Sequence, residues 1–277
     1  MKYSVFSKGL HSTWLLNYEY STLFDCGEGC ATFLGYDVFV PNYIFLSHDH
    51  IDHIAGLPSF IGLRNATKGA NDKPLTIFYP EHNKKIEDWL HFSIKQAGRL
   101  KYSLQIRPLK PLERVRLPSN EERYVEAFPV QHAFHPCYGY RIISISKRLK
   151  PEFQNKTKEF YSKLTPEQKA NITEPYLHNK FLFSGDAMPI PHGPNSPLNN
   201  AEVAFLDGTF LSENDRENPT HATLEELAIA CSKAKVLEAY AIHISIRYSK
   251  KEVQQKLNEL AHIFPLKTIP NYFMASI

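Results

Sequence analysis

Between Ser47 and Gly56 the chain reads Ser-His-Asp-His-Ile-Asp-His-Ile-Ala-Gly, with three histidines and two aspartates inside six residues. The run directly follows the apolar Tyr43-Ile44-Phe45-Leu46, where a buried strand would end. Imidazole nitrogen and carboxylate oxygen are the donors that suit zinc and related divalent ions. A lone buried histidine is ordinarily a hydrogen-bonded core residue. Five ionisable groups crowded at one strand end are hard to explain without a cation to hold them.

Further ligands should sit where other strands end in His or Asp. Four places qualify: His132 after the strand 124–128, Asp186 in Ser184-Gly185-Asp186 after 181–183, Asp207 after 201–206, and His243 after 237–242. Strand ends on one sheet edge converge in space, so residues distant in sequence can share one site. His135 competes with His132 for the third position; His132 is preferred because it lies directly at its strand end. His11, His82, His91, His178, His192 and His262 have no partners nearby in sequence and read as surface or structural.

The elements that must position these groups come from periodicity. Ser12–Asn17 and Tyr20–Asp25 read as a hairpin, and Asp25-Cys26-Gly27-Glu28-Gly29 as a turn. A short helix is expected over 30–36, a helix after the His/Asp cluster, and strands at 75–79, 102–106, 124–128 and 139–145. A helix over 84–97 separates the first two of these. Residues 147–180 are polar and lysine-rich, and read as an inserted helical or loop segment within a single domain spanning 1–277. Strands resume at 180–184, 201–206 and 237–242, with helices at 223–233 and 249–261. Strands followed by helices in both halves predict an α/β chain with a sheet-on-sheet core covered by helices.

Composition narrows the function classes. Of the 277 residues 43% are hydrophobic and 22% charged, enough for a full core, and the formal net charge of +3 neither demands nor excludes nucleic acid. Cys26, Cys30, Cys137 and Cys231 form no CxxC pair and read as reduced thiols. The N-terminus lacks the long apolar stretch of a signal peptide and no run approaches a membrane span, so a cytoplasmic protein without membrane contact is expected.

His48-x-His50-x-Asp52-His53, followed by His132, Asp186 and His243, is similar in order to the motifs of the metallo-β-lactamase fold superfamily of binuclear hydrolases, across residues 20–250. Phe24-Asp25-Cys26-Gly27-Glu28-Gly29, Gly139-Tyr140-Arg141-Ile142 and His243-Ile244-Ser245-Ile246-Arg247-Tyr248 resemble the ribonuclease Z branch, which trims tRNA precursors. The resemblance implies a four-layer αββα sandwich of two mixed sheets flanked by helices. It implies one metal on His48, His50 and His132, a second on Asp52, His53 and His243, and Asp186 bridging both. Two Zn2+ are expected, although such donors also take Mn2+, Fe2+ or Co2+. Paired cations can clamp a phosphodiester and supply hydroxide near neutral pH. Asp52 could both ligate and accept the water's proton. Thr220-His221-Ala222-Thr223 resembles the segment holding a second catalytic histidine, which makes His221 the expected donor to the leaving 3′-oxygen.

The substrate implied is RNA, such as a tRNA precursor 3′ trailer; the alternative is a small or cyclic-nucleotide phosphodiester, and a lactam, lactone or thioester is less favoured. Homodimers are typical of the family. Asp25, Asp49 and Asp207 are candidates to orient the ligating histidines from behind. Two departures stand out. Residues 147–180, where the bacterial family carries an arm with a Gly-Pro-rich tip, contain no glycine but carry Lys147, Arg148, Lys150, Lys156, Lys158, Lys163 and Lys169. Leu206-Asp207-Gly208-Thr209 stands where the family has His-Glu-Ala-Thr, which leaves the partner of His221 open.

Overall fold

The computed structural model describes residues 2–66, 73–132, 134–216, 219–269 and 275–276. Two seven-stranded mixed sheets face one another. The first contains β1 (Tyr3–Lys8), β2 (Ser12–Asn17), β3 (Thr22–Phe24), β4 (Tyr43–Phe45), β5 (Leu75–Pro80) and β6 (Leu104–Leu109). The second contains β7 (Arg114–Arg116), β8 (Glu122–Pro129), β9 (Tyr138–Leu149), β10 (Thr173–Phe183), β11 (Val203–Asp207), β12 (Glu238–Ile242) and β13 (Lys267–Thr268). A terminal β14 (Ala275–Ser276) pairs with β1 and closes the edge of the first sheet.

Period-two alternation divides each central strand between two cores. Phe24, Phe45 and Phe78 point between the sheets and meet Tyr140, Phe181, Phe183, Phe205 and Tyr240 from the other side. Phe24 and Phe181 stack at 5.0 Å, and Phe45 and Phe78 at 4.8 Å. Their neighbours Leu23, Ile44 and Ile77 face outward, onto α1 (Cys30–Leu34), α2 (Ile51–Ile54), α3 (Leu57–Ala66) and α4 (Lys84–Ala97). On the second sheet the outward residues are small, Ala204, Ala239 and Ala241 among them, which lets α7 (Leu224–Ala234) and α8 (Lys250–Leu260) lie close. The result is helix, sheet, sheet, helix: the four-layer αββα sandwich.

Residues 147–180 differ from the helical or loop segment expected. The strands β9 and β10 run on through both ends of it, paired antiparallel out to Leu149 and Thr173. Only the tip is helical: a 3-10 turn, α5 (Lys158–Ser162) and α6 (Pro166–Asn171), with Thr157 and Thr165 capping the last two. A polar sequence conceals this because both faces of the outer pair meet solvent, so no hydrophobic alternation is required. The strand β1, which the sequence pattern did not predict, completes the first sheet beside β2. No helix among the described residues is long and apolar enough to cross a membrane.

The strands that carry chemistry run the same way. In the first sheet β3 and β4 are parallel; in the second, β10, β11 and β12 are parallel, and β8 shares their direction because two antiparallel steps separate it from β10. Their C-terminal ends meet at one rim.

Candidate metal centre

That rim gathers every residue the sequence singled out as a ligand. His48, His50, His132 and Asp186 present donor atoms all within 4.8 Å of one another, and Asp52, His53 and His243 form a second such group. Asp186 joins the two. Its Oδ2 lies 3.7 Å from His48 Nε2, 3.8 Å from His132 Nε2 and 3.2 Å from His243 Nε2, while its Oδ1 lies 3.2 Å from His53 Nε2. Asp52 Oδ2 is 3.4 Å from His243 Nε2 and 3.8 Å from His53 Nε2. His132 is the member drawn from the third strand end. His135 is outside these groups, with Nε2 3.8 Å from Asp49 and a mostly exposed ring.

Backbone strain helps to place these groups. Asp25 and His243, each one residue past a strand, adopt left-handed backbone at φ 55° and 57°, a conformation that non-glycine residues rarely keep unless their surroundings hold them there. Gly185 does the same at φ 61°, and a Cβ there would meet Ser47 Cβ at 2.6 Å. At Gly56 a Cβ would lie 2.1 Å from Gly27 O, so glycine is what lets the start of α3 dock on the 25–29 turn.

Hydrogen bonds from behind set the tautomers. The Ser47 hydroxyl donates to Asp25 at 2.8 Å, so its oxygen, 2.9 Å from His48 Nδ1, accepts from that ring. His53 Nδ1 donates to Asp25 at 2.7 Å and His132 Nδ1 to Thr220 O at 2.8 Å. Thr209 Oγ1 donates to Asp207 at 2.7 Å and accepts from His243 Nδ1 at 2.9 Å. Each of these four rings therefore keeps a proton on Nδ1 and turns Nε2 inward, the orientation that ligating imidazoles require. His50 is turned the other way, with Nδ1 facing the group 3.2 Å from His132 Nε2. Sequence reasoning missed Ser47, Thr209 and the Thr220 carbonyl. Only Ser47, beside His48, was in view; a backbone carbonyl leaves no sequence signal at all.

Of the three aspartates expected to orient histidines, Asp25 and Asp207 do so. Asp49 does not: its carboxylate faces Lys85 and His135, away from the ligand rings. Asp207 also supplies the partner of His221. Its Oδ2 accepts from His221 Nδ1 at 2.7 Å and from Ala187 N at 2.8 Å, while Oδ1 accepts from Thr209 N and Oγ1. The shorter aspartate reaches because Thr223 bridges to Phe210, three residues past Asp207, and so draws the 220–223 segment toward the end of β11; the His221 ring then lies 4.6 Å from that of His132 and 5.1 Å from that of His243. Burial opposes a charge on His221, but the Asp207 carboxylate outweighs it and lifts the pKa to about 9.

The donor set fits cations. His48 Nε2, His53 Nε2 and Asp186 Oδ1 are buried and make no hydrogen bond, an expensive arrangement for polar atoms facing one another. Burial would raise Asp186, yet the surrounding His243 and His53 hold its carboxyl well below the usual range. Burial likewise opposes a proton on His53, but Asp186 and Asp25 push its pKa well above that of free imidazole. Ionised carboxylates that hold a proton so firmly on a neighbouring imidazole also favour a metal in that proton's place.

Comparison with known proteins agrees with this architecture. Residues 22–149 match the beta-lactamase superfamily domain. Ribonuclease BN of Escherichia coli O157:H7 is 29% identical over 289 residues, covering 94% of this chain and 91% of that protein. The chloroplastic tRNase Z TRZ2 of Arabidopsis thaliana is 25% identical, covering 95% and 73% respectively. Among solved structures, the short form of human tRNase Z superposes with a TM-score of 0.67 at 16% identity, covering 100% of this chain and 99% of its own. A diphosphatase from the PhnP family gives 0.65 at 16% identity, covering 100% and 98%. With relatives aligned along nearly its whole length and the sandwich built to carry the site, the chain has the metallo-β-lactamase fold and is similar in sequence to ribonuclease BN and tRNase Z.

Proposed function

We propose that the protein is a binuclear-metal phosphodiesterase that cuts RNA, with the 3′ trailer of a tRNA precursor as the leading substrate. The observation that carries this reading is the Asp207–His221 pair beside the two ligand groups. His221 falls in a further cluster with Asp186, Asp207 and His243, but its Nδ1 is committed to Asp207 at 2.7 Å. Nε2 is then the ring nitrogen left to reach a leaving oxygen. An imidazolium held charged by a buried carboxylate is a general acid, and phosphodiester cleavage needs one at the departing alkoxide. The names of the relatives, ribonuclease BN and tRNase Z, point the same way.

His48, His50 and His132 would hold one cation, Asp52, His53 and His243 the other, and Asp186 would bridge them; zinc is the favoured metal, with manganese, iron or cobalt as alternatives. When bound, such a pair supplies an activated hydroxide near neutral pH and stabilises charge on the phosphate oxygens. The protein's own groups do the rest. Ser47, Asp25, Thr209 and the Thr220 carbonyl hold Nδ1 of four rings from behind, so each Nε2 already faces the site before any cation arrives. Asp52, less enclosed than Asp186, would accept the proton of the attacking water. His221 protonates the leaving 3′-oxygen, and Asp207 holds the ring in place and keeps it charged. The β9–β10 arm would stand in for the family's arm; there Arg148 lies 4.4 Å from the centre of the Tyr176 ring and pairs with Glu174 at 2.8 Å.

Hydrolysis of bis(p-nitrophenyl) phosphate, lost in Asp186→Ala, tests the reaction class. Salt-sensitive shortening of a precursor tRNA tests the substrate. His221→Ala should lower turnover about 10²–10⁴-fold with metal content intact. Loss of metal in that variant would make His221 a ligand and remove the proposed donor. A small diester is the second reading, in keeping with the net charge of only +3; diester turnover with no action on RNA would favour it.

A further inference from the structure

Across the rim from His221 lies a cleft of about 480 Å3, bounded by Asp49, Ile51, Lys85, Asp88, Trp89 and Phe92, with the Asp88 carboxylate paired to Lys84 at 3.0 Å. It sits on the wall formed by α2 and α4, over the first sheet, whereas His221 belongs to the segment that leads into α7 over the second. Its floor is unusual. Asp49 is 2% exposed, yet its Oδ2 makes no hydrogen bond. The nearest basic groups are Lys85 Nζ at 3.5 Å and His135 Nε2 at 3.8 Å, on side chains that are themselves largely exposed. A buried carboxylate oxygen without a donor is costly, and here it borders an open cleft. The walls are flat and apolar. Trp89 is locked by donation from Nε1 to Ile54 O at 2.8 Å and stacks on Phe92 at 5.3 Å, and Phe92 and Ile51 remain 45% and 60% exposed.

An aromatic wall, one buried acceptor and a lysine at the mouth are the parts that recognise a nucleotide: a ring to stack, an N–H edge to bond, a phosphate to pair. We propose that this cleft binds the nucleobase immediately 3′ of the scissile phosphate and prefers guanine there. The side follows from the chemistry already assigned. The leaving 3′-oxygen, and the nucleotide that carries it, lie against His221, so the opposite wall receives the nucleotide that keeps the phosphate. The base follows from the acceptor. Guanine presents adjacent N1–H and N2–H donors to Asp49, whereas uracil flanks its single N3–H with two carbonyl oxygens that a carboxylate repels. Lys85 then leaves Asp49 for the backbone phosphate. This inference rests on the RNA-cleaving reading above and extends it to sequence preference.

The test uses the full chain loaded with metal. Oligoribonucleotides that differ only in the base 3′ of the cut are compared by kcat/KM; guanine should exceed uracil by about tenfold or more. Asp49→Asn should bring that ratio to within about twofold, and because it is a ratio it is insensitive to a general loss of rate. A second readout needs no cleavage: tryptophan fluorescence, with Trp14 fully buried and Trp89 in the cleft, is titrated with guanosine and with uridine. Guanosine should bind more tightly, and Asp49→Asn should abolish the difference. Phe92→Ala, at an exposed ring, should weaken guanosine binding; if Asp49→Asn loses metal this variant decides, and an unchanged guanosine affinity in it overturns the inference. RNA cut without base preference, or a preference that survives Asp49→Asn, overturns the inference while leaving the RNA reading intact. If a base-free diester is hydrolysed but RNA is not, the RNA reading has failed and the nucleoside titration decides the cleft alone: equal or absent binding of the two nucleosides overturns it.

Discussion

Replacing Asp207 by Asn separates the proton-donating half of the site from the metal-binding half. In the native protein Asp207 holds His221 at a pKa of about 9, against the burial that works the other way. The amide carries no charge, so burial then acts unopposed and His221 returns to or below the ordinary imidazole value of about 6.5. A general acid must be protonated to act, and activity is lost as pH rises through its pKa. At pH 8 the protonated fraction is about 0.9 for a group titrating at 9 and about 0.03 for one at 6.5, a loss of about 30-fold in kcat from protonation alone. The alkaline limb of the kcat profile should move from near pH 9 to near or below pH 6.5, while the acid limb stays. The assay is a pH profile of diester hydrolysis on protein of measured metal content. Metal content matters because Asp207 also positions Thr209, which accepts from His243. An unmoved alkaline limb in a fully metallated Asp207→Asn protein would refute the assignment of His221 as donor. A lost metal with an unmoved limb would make Asp207 a support for His243 alone.

Metal binding should weaken on acidification. Asp186 and Asp25 raise His53 well above free imidazole despite its burial, so a cation must displace that proton; affinity should fall about tenfold per pH unit from above pH 6.5 downward. Competition with a fluorescent chelator at several pH values measures this, and a flat response would contradict it. Gly185→Ala should destabilise the fold by about 1–3 kcal/mol, because the left-handed backbone and the 2.6 Å approach to Ser47 leave no room for a methyl group. An unchanged melting temperature would show that the 184–186 turn relaxes freely. Phe24→Ala removes a ring stacked on Phe181 at 5.0 Å at the centre of the inter-sheet core and should cost about 3–5 kcal/mol in urea unfolding. A cost below about 1 kcal/mol would mean that the sheets close over the gap.

The order of residues alone is enough to name those that could ligate a cation, because His48, His50, Asp52 and His53 are crowded into one short run and His132, Asp186 and His243 each close an apolar strand. It also determined the layered core, since alternating aromatic and small apolar residues can satisfy two packing surfaces only between a facing sheet and covering helices. Local pattern could not reveal the arm, where both faces of β9 and β10 are wet and pairing leaves no apolar mark. Nor could it show what stands behind each ligand. Thr220 contributes a carbonyl that every residue type possesses, and Thr209 and Asp207 act through the direction in which their strand end releases them. Tertiary structure decided that Asp207 serves His221 in place of a longer glutamate, because reach depends on how close the 220–223 segment is brought to β11. It also turned Asp49 away from the rings it borders in sequence and into a cleft with Lys85. A strand fixes the order of its side chains but only a packed neighbour fixes what each one faces, and at this rim those neighbours come from opposite ends of the chain.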